Sequence, residues 1–238
     1  MRLFAGYVMM FWMSLTLAAA NGTNTPVSSL DRELLMVVGE GQVMRAEALL
    51  KRGANVNLAH PPWKLTPLLV ASELDFTMVK FLVSRGADVN AQDRDGVTPL
   101  MRSITLRDLP MATLLLDAGA HINETDLRGH TALTYAVMRS DADIVKLLIA
   151  RGAKTDVVAA MGTTTWSIAQ SMRQAALIMP ERPQEKHIHT AGQASHSMRN
   201  KTESLAQTQA VLDVLVEAGV QQRPQQPATF DAMQHHRH

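Results

Sequence analysis

The sequence predicts an all-α solenoid built from stacked helix-turn-helix units. Aromatic residues make up only 4% of the 238 residues, and Ala, Leu, Val and Met supply most of the 46% hydrophobic content, which suits thin helical layers. Two kinds of short segment recur along the chain, one led by glycine at intervals of 33 residues and one led by threonine at intervals of 32 or 33. A period of that length is typical of stacked repeats, in which no single unit can bury its own apolar face.

The glycine-led segments are predicted to end the second helix of each unit. They read Gly53-Ala-Asn-Val-Asn57, Gly86-Ala-Asp-Val-Asn90, Gly119-Ala-His-Ile-Asn123 and Gly152-Ala-Lys-Thr-Asp156, and they start 33 residues apart each time. Glycine adopts the left-handed conformation that commonly follows the last turn of a helix. We therefore expect these four glycines to be helix C-caps.

The threonine-led segments are predicted to begin the first helix of each unit. They read Thr66-Pro-Leu-Leu, Thr98-Pro-Leu-Met, Thr131-Ala-Leu-Thr and Thr164-Thr-Trp-Ser. Threonine is a good N-cap, and proline suits the first helical turn, where a missing N–H has no consequence. Helical spacing then predicts that the apolar residues after each threonine face the neighbouring unit: Leu68, Ala71, Leu100, Leu133 and Ala136.

Together the two series resemble the ankyrin family, whose repeat has a T-P-L-H-x-A opening, two short helices and a G-A-D-V-N turn leading to a loop. The resemblance implies an ankyrin-repeat solenoid with β-hairpin finger loops and about five repeats including caps. The expected units are an N-terminal capping repeat at 28–57, repeats at 58–90, 91–123 and 124–156, and a C-terminal ankyrin-like repeat at 157–220.

The C-terminal repeat departs from the family pattern. Its second helix and glycine cap are expected at Val211 to Gly219, which is 67 residues after Gly152 rather than 33. We therefore predict an inserted loop at 180–204, with a lengthened helix on each side. Residues 221–238 are predicted to form a disordered tail, because they are polar and terminal.

Residues 1–20 are predicted to be a signal peptide. Arg2 is followed by an apolar run to Leu17, and Ala18 to Ala20 provide a small-residue cleavage site. An uncleaved membrane anchor is the alternative, because the apolar run approaches the ~20 residues that span a bilayer. The chain has no cysteine, which excludes disulfides and a lipid-attachment cysteine. A periplasmic or secreted protein without stable membrane insertion after cleavage is expected.

Charge and motifs exclude several classes of function. Without Arg2, the chain has 22 basic and 22 acidic residues, so a nucleic-acid partner has no electrostatic support. The sequence contains no G-x-S-x-G, H-E-x-x-H or glycine-rich phosphate loop. We expect no enzymatic activity and no cofactor. Asp93-Arg-Asp95-Gly96 lacks the spacing of a calcium loop and is better explained as a turn.

A protein partner is the principal functional prediction, with the chain monomeric when free. In the ankyrin family, partners usually contact the finger loops and the exposed positions of the first helices, called the palm. Transferred by register, the resemblance implies a partner site at Glu73, Arg94, Asp95, Thr105, Leu127, Arg128, His130, Met138 and Arg139. Trp63 joins this set because large rings at loop tips are typical interface anchors. Its alternative is to fold back over the first repeat as a cap.

Two roles are known for similar bacterial ankyrin proteins, and the resemblance does not choose between them. One is neutralising a toxin as an immunity protein, and the other is acting as the partner of a peroxide-defence enzyme. A different class of function is binding or buffering of copper, zinc or nickel through histidines. The candidate ligands are His187, His189, His196, His235, His236 and His238.

Overall fold

A computed structural model describes residues 28–178 and 201–220 as five stacked pairs of α-helices. First helices pack against first helices, and second helices against second helices. The predicted signal peptide 1–20 and tail 221–238 lie outside the described residues. The helices are α1 (Ser29–Gly39), α2 (Val43–Lys51), α3 (Pro67–Ala71), α4 (Phe76–Ser84), α5 (Pro99–Thr105), α6 (Leu109–Asp117), α7 (Ala132–Met138), α8 (Ala142–Ala150), α9 (Thr165–Ile178) and α10 (Lys201–Glu217).

Threonine caps the start of the first helices α3, α5, α7 and α9. The hydroxyl oxygens of Thr66, Thr98 and Thr131 each accept the backbone N–H three residues further on, at 3.3 Å. Thr164 accepts the N–H of Ser167 at 3.1 Å, and the Ser167 hydroxyl accepts the Thr164 N–H in return. These bonds satisfy N–H groups that a helix start leaves without an intrahelical partner. The predicted N-caps are confirmed.

Aspartates cap the starts of three second helices. Asp75, Asp108 and Asp141 accept backbone N–H groups of α4, α6 and α8 at 2.8 to 3.2 Å. A carboxylate is also favoured there by the positive end of the helix dipole. The Arg107 Nε of the preceding repeat donates to Asp141 Oδ2 at 2.8 Å, so this cap also links two repeats.

The predicted glycine C-caps are confirmed. Gly53, Gly86, Gly119 and Gly152 have φ between 83° and 97°, and Gly219 at the end of α10 has φ 75°. In each case the N–H of the next residue donates to the carbonyl five residues earlier, at 2.9 to 3.1 Å. This pairing satisfies carbonyls that the helix end leaves free. Gly219 therefore ends the fifth helix pair in the same way.

The core runs along the whole stack between the helix pairs. All five residues predicted to face a neighbouring repeat are at most 1% exposed: Leu68, Ala71, Leu100, Leu133 and Ala136. Leucines of the second helices meet them from the other side and are 0% exposed: Leu82, Leu115 and Leu148. Burying one leucine side chain contributes roughly 1.5–3 kcal/mol, so stacking provides most of the stability of these short helices.

The last helix pair is longer than the others. Helix α9 has 14 residues and α10 has 17, whereas α7 and α8 have 7 and 9. The predicted lengthening on both sides of the insertion is thus present. The predicted boundary of the inserted loop 180–204 is wrong at its C-terminal end, because residues 201–204 already belong to α10. The rest of the insertion lies outside the described residues.

Asparagine side chains join consecutive repeats beside the glycine turns. The Oδ1 of Asn57 accepts the N–H of Asp88 at 2.8 Å, and its Nδ2 donates to the carbonyl of Gly86 at 3.1 Å. Asn90 makes the same two bonds to the following repeat, and Asn123 makes the first of them. These bonds explain why asparagine recurs at the end of the glycine-led segments.

The loops before the first helices, here called fingers 1 to 4, form a second link between repeats. They comprise residues 60–65, 93–97, 126–130 and 159–163. Among the described residues isolated antiparallel bridges close fingers 1, 3 and 4, and none of the four loops forms a β-strand, so the expected hairpins are reduced to tight turns. Backbone N–H groups join each finger to the one before it: Arg94 to the Trp63 carbonyl at 2.9 Å, Leu127 to Asp95 at 2.9 Å and Ala160 to Arg128 at 2.8 Å.

Glycine is required where one finger closely approaches the next. Gly96 and Gly129 have φ 80° and 78°, and a Cβ at either would lie 3.1 Å from backbone atoms of the following finger. Gly162 occupies the same place in finger 4 with φ 74°, but a Cβ there would meet no atom of the described residues within 4 Å. Substitutions at the two kinds of site therefore distinguish the stability lost through a strained φ from the stability lost through a steric clash.

None of the helices in the described ranges is long and apolar enough to cross a bilayer.

Replacing Gly129 by alanine should destabilise the fold more than replacing Gly162. Gly162→Ala adds only the left-handed strain, about 1 kcal/mol, whereas Gly129→Ala also pushes finger 4 away and should cost about 2 kcal/mol or more. Urea unfolding followed by circular dichroism measures both. Equal losses for the two variants would show that the fingers do not pack as described.

Candidate protein-binding surface

The finger and palm surface consists of the tips of fingers 1 to 4 and the exposed positions of the first helices beside them. Two of these fingers are held by an aspartate that comes five residues before the capping threonine. The side chain that receives this aspartate lies four residues after the same threonine, on the first helix. This geometry fixes each of these two fingers to the first helix of its own repeat.

Finger 2 is held by Asp93. Its Oδ1 accepts the N–H groups of Asp95 and Val97 at 2.8 and 2.9 Å, and its Oδ2 lies 2.5 Å from the Arg102 guanidinium of α5. Arg102 also forms an ion pair with Glu73 from the preceding repeat. Separating Asp93 from Arg102 would leave two partly buried charges without each other's compensation. A change in the conformation of finger 2 is therefore energetically costly.

Finger 3 is held by Asp126 in the same way but with a neutral donor. Its Oδ1 accepts the N–H groups of Arg128 and His130 at 2.9 and 2.8 Å, and the Tyr135 hydroxyl of α7 donates to its Oδ2 at 2.9 Å. The His130 ring packs edge to face against Tyr135, and its Nδ1 lies 3.5 Å from Asp126 Oδ2. Hydrogen bonds to a charged acceptor are stronger than neutral ones.

Burial raises the pKa of the Tyr135 phenol well above its ordinary value. The bond to Asp126 and the negative charge of that carboxylate raise it further, because ionising the phenol would remove the bond and place two anions side by side. Tyr135 packs partly buried against the core, and it serves finger 3 as a hydrogen-bond donor.

Trp63 neither folds back as a cap nor stands free at the tip of finger 1. The Arg94 guanidinium lies over its indole ring at 5.5 Å from the centroid, and the Arg94 N–H donates to its carbonyl at 2.9 Å. The side chain remains 45% exposed. A cation over an exposed tryptophan contributes about 0.5–1 kcal/mol, enough to orient the ring without burying it.

Seven of the ten predicted partner residues present exposed side chains on the finger and palm surface. Leu127 is 77% exposed at the tip of finger 3, and Met138 is 39% exposed at the end of α7. The full exposed set is Trp63, Arg94, Asp95, Leu127, Arg128, Met138 and Arg139. It combines apolar anchors with mainly basic neighbours on one face.

The other three predicted residues are engaged within the fold. Glu73 is paired with Arg102, the Thr105 hydroxyl donates to the Met101 carbonyl at 2.9 Å, and the His130 side chain is only 17% exposed. Register alone could not show this, because the partner of each lies on another turn or loop. The side chains of these three residues are used in contacts within the fold and are less available to a partner.

The sequence analysis missed Arg102 and Asp126 as positioning residues. The sequence does contain a pattern that indicates them. An aspartate five residues before the capping threonine occurs twice together with a hydrogen-bonding side chain four residues after it. Fingers 1 and 4 lack the pair, with Pro61 and Ala159 in the aspartate position. Fingers 2 and 3 therefore have this aspartate link in addition to the bonds between fingers, whereas fingers 1 and 4 have the bonds between fingers without it.

The six histidines proposed as metal ligands lie outside the described residues. Within the part of the chain that the structure describes, no group of three or more His, Cys, Asp or Glu side chains could hold a metal ion.

Comparison with protein-family models gives two overlapping matches. The model for ankyrin repeats (3 copies) matches residues 34–126, and the model for ankyrin repeats (many copies) matches residues 104–149. Residues 34–149 are ankyrin repeats. The matched region includes the helices from α1 to α8, and the long helices α9 and α10 lie after it. No curated protein shows a significant match to this chain.

Ankyrin repeats indicate a module for protein–protein interaction. The exposed finger tips and palm described above carry side chains that the packing of this ankyrin stack does not determine.

The Tyr135 phenol should resist ionisation in alkaline solution. In a Tyr7→Phe variant, Tyr135 is the only tyrosine, and phenolate absorbance should appear well above the ordinary pKa of about 10. Because the folded pKa is raised, the stability that the phenol contributes is complete below pH ~10 and is lost as the pH rises through the folded pKa. Asp126→Asn, which removes the charge but not the burial, should shift the titration part of the way back. An ordinary titration in the folded Tyr7→Phe chain would contradict the bond to Asp126.

Proposed function

We propose that this ankyrin stack binds another protein through the tips of its fingers and its palm. The observation that carries the proposal is the set of exposed side chains on fingers whose backbone is already fixed. Leu127 and Trp63 expose apolar area at the tips, while Asp126 and the finger-to-finger hydrogen bonds hold the loops in place. A loop that is ordered before binding loses less conformational entropy when the partner arrives.

The composition of the surface also favours a protein partner. Aromatic side chains, methionine and arginine are enriched at the centres of protein interfaces, and Trp63, Met138, Arg94 and Arg128 are of these types. Basic residues beside apolar anchors are complementary to a partner surface with apolar pockets and acidic groups around them.

Alanine at Leu127 should reduce partner affinity about fivefold or more, because truncating an interface anchor costs more than about 1 kcal/mol. Trp63→Ala and Arg128→Glu should act in the same direction. The measurement is affinity capture from an extract of the source cells, with bound proteins quantified by mass spectrometry. Circular dichroism checks that each variant is folded.

Two variants on other faces provide matched controls. Met44→Ala removes an apolar side chain that is 79% exposed, close to the 77% of Leu127, but it lies on the second helix α2. Lys146→Glu reverses a charge on α8, as Arg128→Glu does on finger 3. Both controls should leave recovery unchanged. Equal loss with control and finger variants would argue against the finger and palm surface.

We propose in addition that the chain is exported, with residues 1–20 removed. The proposal rests on the sequence of this segment, which lies outside the described residues. An exported interaction module is compatible with either role that the resemblance implies, toxin neutralisation or association with a peroxide-defence enzyme. Identifying the captured partner distinguishes these two roles.

Export should leave a mature chain that begins at Asn21. Intact-mass measurement on protein purified from the source cells should therefore show the loss of residues 1–20, and cell fractionation should place the shortened chain outside the cytoplasm. Replacing Ala18 and Ala20 with bulky residues should block cleavage, since the site requires small side chains. A full-length chain in the cytoplasmic fraction would exclude export.

A further inference from the structure

The palm carries one apolar side chain in a row of otherwise polar positions. Seven residues after each capping threonine stand Glu73, Thr105, Met138 and Ser171. Glu73 is held by an ion pair, and the hydroxyls of Thr105 and Ser171 donate to carbonyls of their own helices at 2.9 Å. Met138 is the member of this row that offers apolar area to a partner.

Exposure also divides most methionines of the described residues into two groups, while Met36 and Met172 are of intermediate exposure. Met78, Met101 and Met111 lie in the core with 0 to 2% exposure, whereas Met44 is 79% and Met138 is 39% exposed. Oxidation of a thioether requires that the oxidant reach the sulfur, so accessible methionines react first. Met138 therefore combines an exposed side chain with a position on the proposed binding surface.

We propose that Met138 is a redox-sensitive site of this protein, where oxidation by a peroxide weakens partner binding. In the reaction the O–O bond of the peroxide breaks and one oxygen is transferred to the sulfur, forming the S=O bond of methionine sulfoxide. The sulfur loses two electrons, and hydrogen peroxide is reduced to water. The proposal rests on the proposed function, because it concerns the same palm.

The expected effect follows from the polarity of the product. A sulfoxide oxygen is a hydrogen-bond acceptor that loses water when a partner covers it, whereas a thioether is an apolar group with little hydration to lose. Burying an uncompensated polar group is unfavourable, and binding should weaken about tenfold or more. Sulfoxide reductases reverse the modification, so the change can act as a switch.

The chemical part of the proposal is tested on the folded full-length chain without any partner. The protein is treated with hydrogen peroxide, and peptides are followed by mass spectrometry over time. Met44 and Met138 should gain oxygen early, and Met78, Met101 and Met111 should do so only after the chain is unfolded in denaturant. Oxidation of Met138 as slow as that of Met78 would overturn the proposal.

The binding part is tested with variants that imitate each state. Met138→Gln introduces a polar side chain in place of the sulfoxide, Met138→Leu keeps an apolar one, and Met44→Gln is the control on α2. Only Met138→Gln should lose the captured partner. If Met138→Gln binds like the unaltered chain while Leu127→Ala does not, the redox proposal fails and the proposed function stands. If none of the finger variants affects capture, both fail.

Discussion

Stacking is the constraint on which the rest of this structure depends. A pair of helices as short as α5 and α6, with 7 and 9 residues, carries apolar side chains on both flanks and cannot bury them alone. Leu100 and Leu115 are 0 to 1% exposed only because helix pairs lie on each side of them. Each repeat is therefore stable only within the series, and the series needs pairs at its ends that close the core. The longer α9 and α10 close it at the C-terminal end.

Stacking alone would allow neighbouring pairs to slide, and two rows of hydrogen bonds prevent this. Asn57, Asn90 and Asn123 fix the turns after the second helices, and the backbone bonds between fingers fix the loops before the first helices. The rows lie in loops at the ends of the helices, where water would otherwise compete for the same groups. Because the fingers bond to one another, the order that the core imposes extends to loops that contain no β-strand in the described residues. A rigid set of loops is the physical basis for specific binding.

The fold could be predicted because its determinants are local. A threonine that caps a helix and a glycine that ends one each act within five residues, and their recurrence predicted where four first helices begin and five second helices end. The site was predicted less completely because its determinants are contacts between separate elements. Glu73 has the register of a palm residue, but Arg102 from the next repeat binds it. Asp126 has the sequence of a turn residue, and its bond to Tyr135 depends on how finger 3 lies over α7. The end of the insertion at Lys201 was missed because residues 201–204 are polar and carry no cap signal.

The separation between scaffold and surface limits what kind of partner can be recognised. At the tips of the fingers, equivalent backbone positions carry Trp63, Asp95 and Arg128, which have nothing chemical in common, while the hydrogen bonds made by their carbonyls are the same. The scaffold therefore places different side chains at regular intervals without specifying them. Since neighbouring helices pack about 8–10 Å apart, fingers 1 to 4 extend over roughly 25–30 Å. A stable interface needs about 800 Å² on each partner. A small molecule would contact one or two of these tips, whereas a folded protein can contact all of them at once, so the spacing itself favours recognition of a protein surface.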